Sequence, residues 1–356
     1  MPHTLELSRR LTPLECNSII NRLYSYAKEQ NRSCCYPLIK PYKGSLNGTE
    51  FTAFTDKGII MHIVKYDNYE YSSYVWYITI NPASRRGVNR MLVSSEDEVI
   101  ESFYILDSLF YNELQIPYNR SYFNINRLDC ADNHFFSNAE NAELYMSLLK
   151  KADIPDEFEI YSEYSSTAHR RIEPKGSIYC WNKSKTVTMN IYIKAIQLQN
   201  DRYIDIEYDL TSAEQLLRLE VQCSRQKLSS CKKMLGVDNL SPEAFITDSF
   251  NLSILNYYLN KVFRIGDYYT FAHAQEMIIN SNFQNTSKEL MLLMLELTSK
   301  RNGLKLAKKE MLSMGCTMYD ISSTLKRFDS LGINPVTIPV KYGVDCILSP
   351  VNLLSQ

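Results

Sequence analysis

The sequence predicts an α+β fold: a mostly antiparallel sheet core with flanking helices, followed by a helical C-terminal region of helix-turn-helix or winged-helix type. Three observations predict it. Between about residue 51 and residue 223, short runs rich in β-branched and aromatic residues alternate polar and apolar side chains. Apolar stripes at helical spacing open behind capping residues before and between those runs. Beyond about residue 240 the alternation ends and only helical periodicity continues.

In chain order, Thr12-Pro13-Leu14-Glu15 reads as an N-cap, a first-turn proline and a capping-box acid, opening a helix with Ile19, Ile20, Leu23 and Ala27 on one stripe. Phe51 to Thr55, Gly58 to Tyr66 and Tyr74 to Ile80 read as strands of a small antiparallel sheet, punctuated by Asn47-Gly48, Asp56-Lys57-Gly58 and Asn81-Pro82. Ser94 or Ser95 caps a helix over Val99, Phe103, Leu106 and Phe110, and Ile116-Pro117 closes the unit. Further on, Thr186 to Lys194 and Leu216 to Cys223 each carry an apolar and a polar face. Arg218, Glu220 and Gln222 share the polar face of the second, and Arg127 and Asp129 share a face in Asn126 to Asp129. Ser241-Pro242-Glu243 is expected to start a helix, Thr286 to Glu289 to form a capping box, residues 304–313 to form a short helix, and Thr317 to cap a last one that stops at Gly332. No internal repeat is visible. The expected organisation is an α+β unit over 1–116, a central β-rich domain over 117–238 continuous with the first, a helical region over 239–340 and a tail over 341–356.

With 356 residues the chain is long enough for two or three domains, and 45% hydrophobic with 22% charged residues excludes disordered and low-complexity classes. The longest strongly apolar stretch, Leu290 to Leu297, is broken by Glu296 and is too short for a membrane span. The first residues lack a basic flank followed by an apolar core, so a cytoplasmic protein without membrane contact is expected. Nine cysteines show no C-x-x-C spacing and read as idle or buried thiols. The usual nucleotide-cradle, hydrolase-elbow and zincin motifs are absent, and the five histidines are isolated, with no His-hydrophobic-His pair around His62.

Acids and tyrosines therefore remain as candidates for chemistry. Asp129 and Glu220 each follow an arginine by two residues on an expected strand. Side by side, two such strands could offer a carboxylate pair to Mg²⁺ or Mn²⁺, although each motif alone also describes an ordinary salt-bridged β face. The net charge is −1, yet His169 to Lys194 holds six Lys and Arg against one acid, and Arg218 to Met234 holds five against one. Cations interleaved with Tyr164, Tyr179, Trp181 and Tyr192 suit a groove for single-stranded nucleic acid. Candidate DNA contacts are Arg127, Arg170, Arg171, Lys183, Lys185 and Arg218, with Lys326 and Arg327 on the outward side of the last helix.

Three ordered blocks also resemble a family: Asn126-Arg127-Leu128-Asp129-Cys130, then Ser177 to Lys185 leading to Asn190-Ile191-Tyr192-Ile193-Lys194 and Gln197-Leu198, then Leu217 to Cys223. Together with Ile80-Asn81-Pro82 and Gly332-Ile333-Asn334-Pro335, they are similar to blocks of phage and plasmid replication initiators, the gene-II-type proteins of filamentous phages and the related non-HUH plasmid initiators. The resemblance spans roughly residues 75 to 335 and implies a rolling-circle replication initiator. Such an enzyme nicks and rejoins one DNA strand through a phosphotyrosine, assisted by Mg²⁺ or Mn²⁺. It further implies Asp129 and Glu220 as metal ligands and Tyr179, Tyr192 and Lys194 as catalytic candidates. Both tyrosines match family positions, so the nucleophile stays open; Tyr179 is preferred because its Lys-rich segment looks more loop-like. Ile193 replaces an acid usual in the family and Gln197 stands where plasmid relatives carry Glu, leaving Asp132, Asp205, Glu207 or His134 to compensate. The implied partners are single-stranded or cruciform origin DNA, a host helicase or polymerase, and a second copy of the chain. The alternative is a non-catalytic, sequence-specific DNA-binding regulator on the same fold.

Overall fold

The structure is a computed structural model that describes residues 2–67, 72–165, 170–172, 174, 176–200 and 210–354; for 87–90, 163–165, 170–172, 199, 200 and 210 only the backbone is described. The chain begins β1 (Pro2–Leu11), α1 (Pro13–Glu29), β2 (Cys35–Pro37), β3 (Gly48–Phe51), β4 (Ile59–Asp67) and β5 (Ser72–Ile80). A 3₁₀ segment, Pro82–Met91, and α2 (Glu96–Ser108) lead to β6 (Asn124–Phe135), α3 (Ala139–Leu149), β7 (Phe158–Ile160) and a detached hairpin of β8 (Glu163–Ser165) and β9 (Arg170–Ile172). Then come β10 (Ser177–Asn182), β11 (Val187–Ile193), α4 (Lys194–Asn200), α5 (Leu210–Gln215), β12 (Leu216–Ser224) and α6 (Arg225–Leu235). The C-terminal region is α7 (Asp248–Phe263), β13 (Tyr268–Tyr269), α8 (Phe271–Ile279), α9 (Asn285–Lys300), α10 (Leu304–Ser313), α11 (Met318–Ser330), β14 (Cys346–Ile347) and α12 (Pro350–Leu353). The α+β class expected from sequence is the class observed.

Ten strands form one antiparallel sheet in the order β2-β3-β4-β5-β1-β6-β12-β11-β10-β7. This order holds a duplication that the sequence does not display. The path β1-α1-β2-β3-β4-β5 is repeated as β6-α3-β7-β10-β11-β12, and the two halves meet antiparallel at β1 and β6. Residue 116 therefore falls between two halves of one sheet.

Strand alternation sorts the side chains. Leu5, Leu7, Trp76, Leu128, Met189 and Leu219 face a continuous apolar core with α1, α3, α6 and α7. Burying each such side chain contributes about 1.5–3 kcal/mol. The other face carries Glu6, Arg127, Asp129, Tyr192, Arg218 and Glu220.

Local chemistry accounts for the helix starts. Thr12, Ser95 and Thr317 each make a full capping box, where a box was expected at Thr12 and a cap at Ser94 or Ser95 and at Thr317. Elsewhere expectation fails for identifiable reasons. Ser241-Pro242-Glu243 gives only a 3₁₀ turn because the Ser241 hydroxyl is turned to the Glu243 carboxylate; the helix starts at Asp248 under a Thr247 cap. The helix expected to begin at Thr286 already starts at Asn285, and its Gln284 cap makes no side-chain bond. Phe51 ends β3, and Thr55–Lys57 is a 3₁₀ turn. The first strand went unread, although Leu5 and Leu7 alternate with Glu6 and Ser8. Downstream, α9, α10 and α11 pack on one another, and a turn over 314–317 with Gly315 at φ 95° joins the last two. Leu304 N–H donates to the Lys151 carbonyl at 2.9 Å, which ties these helices to the end of α3.

Candidate active site on the polar face of the sheet

Register brings the site together. β12 pairs with β6 so that Gln222 faces Asp129 and Glu220 faces Ala131, and with β11 so that Glu220 faces Asn190 and Arg218 faces Tyr192. Asp129, Glu220 and Tyr192 thus project from three adjacent strands onto one face. The Tyr192 hydroxyl lies 3.5 Å from Glu220 Oε2, the outer limit of a hydrogen bond. Arg127 makes a bidentate pair with Asp129, Nε donating to Oδ1 at 2.8 Å and Nη2 to Oδ2 at 2.5 Å, and Gln222 Nε2 donates to Oδ1 at 3.0 Å. Buried Lys194 opens α4, donates to Gln197 Oε1 at 2.7 Å and lies 5.8 Å from the centre of the Tyr192 ring.

Electrostatics act strongly on Glu220. Burial, then repulsion from Asp129, pushes the Glu220 carboxyl up to about 7 against the pull of Arg218, Arg127 and Lys194. Burial, followed by the Glu220 charge, also raises the Tyr192 phenol and holds it protonated. The arrangement is a protonated phenol beside a carboxyl poised to exchange a proton near neutrality.

Other expected site residues are placed differently. Tyr179 is 38% exposed and lies within β10, not in a loop, with its ring between Tyr161 and Trp181 at centroid distances of 6.0 and 5.7 Å. The register Tyr179, Asn190, Glu220 sets it two strands from the carboxyl, about 10 Å away. Arg218, expected to contact DNA, is 0% exposed; it donates to Asn133 Oδ1 and the Met91 carbonyl, both at 2.5 Å, beneath the 82–91 segment. A phosphate has no access to it. Lys183 and Lys185 are exposed at the tip of the β10–β11 turn. Exposed Lys326 and half-buried Arg327 sit on α11 among the C-terminal helices. The side chains of Arg170 and Arg171, and the whole of His169, Asp205 and Glu207, lie outside the described residues. Asp132 and His134 alternate onto the opposite face from Asp129, where the His134 ring meets Phe136, so neither compensates for a missing acid. Ile193 is buried in the core, turned away from Glu220.

Sequence reasoning missed Glu6 and His3. Glu6, on β1, accepts from Tyr42 Oη at 2.5 Å, from Asn126 Nδ2 and from Lys43 at 3.0 Å. His3 is held neutral by burial and by Arg218, Lys194 and Arg86 around it. The alternation of β1 was the available signal for Glu6; His3 lies at a register shift between Pro2 and Thr4 that alternation does not reveal. The donor set does not fit a divalent cation as arranged: both Asp129 oxygens accept from Arg127, and among the described residues no three His, Cys, Asp or Glu side chains gather.

No family model and no curated protein matches the chain. Among solved structures it is similar to the rolling circle replication initiator protein from Geobacillus stearothermophilus, at 16% identity and a TM-score of 0.35, over 74% of this chain and 84% of that one. It is also similar to the di-domain ARO/CYC StfQ from the steffimycin biosynthetic pathway, at 10% identity and a TM-score of 0.21, over 72% of this chain and 97% of that one. Neither likeness carries an argument about activity. Among the described residues no helix is long and apolar enough to cross a membrane.

Proposed function

We propose that the chain is a rolling-circle replication initiator that nicks and rejoins one DNA strand through a tyrosine ester. The ordered sequence blocks support this reading, and the observation that carries it is the Tyr192–Glu220 pair at 3.5 Å on the polar face of the sheet beside Asp129 and Arg127, with the Tyr192 ring itself buried. A phenol ionises near pH 10 and attacks a phosphodiester poorly unless a base takes its proton. Glu220 is that base. Tyr192 Oη attacks phosphorus, its proton passes to Glu220, and the 3′ oxygen departs and is protonated by water, leaving a 5′-phosphotyrosine and a free 3′-OH. Reversal by the 3′-OH rejoins the strand without an external energy source. Arg127 and Lys194 offset the charge that builds on the phosphate. Tyr161, Tyr179 and Trp181 give a stacking platform for bases at the sheet's outer strands.

The test incubates labelled single-stranded segments, tiling the element that encodes the chain, with protein and Mg²⁺ or Mn²⁺, followed by denaturing electrophoresis. A covalent adduct retained by Tyr179→Phe and lost by Tyr192→Phe is expected. Loss in Tyr179→Phe alone transfers the nucleophile's role to Tyr179. A non-catalytic DNA-binding regulator is the second reading, favoured by the Arg127 clamp that neutralises Asp129; sequence-specific binding with no adduct would establish it.

A further inference from the structure

Beside the acid pair, the polar face sinks into a cleft of about 320 Å³. Its walls draw cations from four separate places: Lys43 between β2 and β3, Arg127 on β6, Lys185 in the β10–β11 turn and Arg225 at the start of α6. Among the described residues no carboxylate lines it; the rest of the wall is amide and hydroxyl. Lys43 and Arg127 are paired to Glu6 and Asp129, whereas Lys185 and Arg225 have no ion-pair partner among the described residues.

The free cations are held in place by backbone chemistry. Asn182 Oδ1 accepts from the N–H groups of Thr186 and Val187 at 2.8 and 3.0 Å, and Lys185 N–H donates to the Asn182 carbonyl at 2.7 Å. The turn is thereby fixed with Lys185 at φ 54°. Arg225 begins an 11-residue helix whose Ser224 cap makes no side-chain bond to the first-turn N–H groups, and Ser224 itself lines the cleft. Two cations already have carboxylate partners, and the other two, Lys185 and Arg225, gather beside them without one, which is unfavourable unless an anion covers them, since like charges repel across so small a space. Both halves of the sheet contribute, and the wall continues through Gln222, two residues along β12 from Glu220.

We propose that this cleft seats a backbone phosphate of single-stranded nucleic acid and so lays the strand against the Tyr192–Glu220 pair. The placement of the strand rests on the nicking reading; the binding does not. Lys185 and Arg225 supply the free charge, and Lys43 makes the first half of the sheet part of the same binding surface.

The test is fluorescence anisotropy of a labelled oligothymidylate across a salt series, with the full chain and its Lys185→Gln/Arg225→Gln variant. The variant should bind about tenfold more weakly at low salt and show a log–log salt slope shallower by about 0.7, because each phosphate neutralised on a single strand contributes about 0.7. Lys28→Gln on α1 should leave both unchanged. An unaltered affinity and slope in the double variant overturns the proposal, as does a variant that loses inorganic phosphate binding in calorimetry while keeping the oligonucleotide. If the double variant weakens oligonucleotide binding while no DNA yields a covalent adduct, the cleft stands and the nicking reading falls.

Discussion

Glu220 combines burial, the neighbouring charge of Asp129 and a phenol at 3.5 Å. Its folded pKa of about 7 lies above the ordinary 4.5, so the folded state binds more protons than the unfolded one between those values. The stability this lends is fully present below about pH 4.5 and is lost as pH rises through 7. Glu220→Gln should therefore match the wild type in urea unfolding near pH 4.5 and exceed it near pH 8 by on the order of 2–3 kcal/mol; an equal difference at both values contradicts the assignment. Strand cleavage should rise with pH through about 7, where the base form appears, and Glu220→Gln should lose that limb along with about a hundredfold or more of the rate. The polar-face placement of Asp129 and Glu220 was legible because Arg-x-acid on a strand fixes a shared face. What the arginines do was not legible. Arg127 clamps its own acid, whereas Arg218 turns under a carbonyl from residue 91, a contact set by a distant segment.

Among the elements, helices that open on a reciprocal capping box were readable at their starts. Thr12, Ser95 and Thr317 close reciprocal bonds within four residues, whereas Thr247 at α7 accepts one bond, from Phe250 N–H, and Gln284 at α9 accepts none. Thr317→Ala should cost about 1 kcal/mol in chemical denaturation; no change would mean that packing of α11 alone fixes its start. The Asn-Pro pieces of the sequence blocks are brackets in the fold. Asn81 N–H donates to the Gly58 carbonyl at 2.8 Å, and buried Asn334 donates to the Phe263 carbonyl at 3.0 Å and accepts from Val336 N–H at 3.0 Å. Gly58 has φ 71°, and a Cβ there would stand 2.1 Å from the Asn81 carbonyl oxygen. Gly58→Ala should thus destabilise the chain by about 2 kcal/mol or more and loosen the 82–91 segment over Arg218, read as faster amide exchange at residues 82–91.

Over the whole molecule, the repeated path of strands joins at β1 and β6, so the site's central strand has the first half as its neighbour. On that strand, β6, Asp129 faces Thr4 of β1 on one side and Gln222 of β12 on the other. A fragment starting at residue 117 would leave β6 as a bare edge and remove Glu6 and Lys43; it should lack the cooperative unfolding transition of the full chain. The duplication escaped the sequence because strand pairing constrains face and register, not residue identity, and the two copies share no visible motif. The central claim is that Tyr192, not a more exposed tyrosine, forms the bond to DNA. Mass spectrometry of a tryptic digest of the covalent adduct tests it most directly, since cleavage after Lys185 and Lys194 isolates Tyr192 from the peptide that holds Tyr179. Nucleotide mass on the 186–194 peptide is the predicted result, and nucleotide mass on the peptide containing Tyr179 would contradict it.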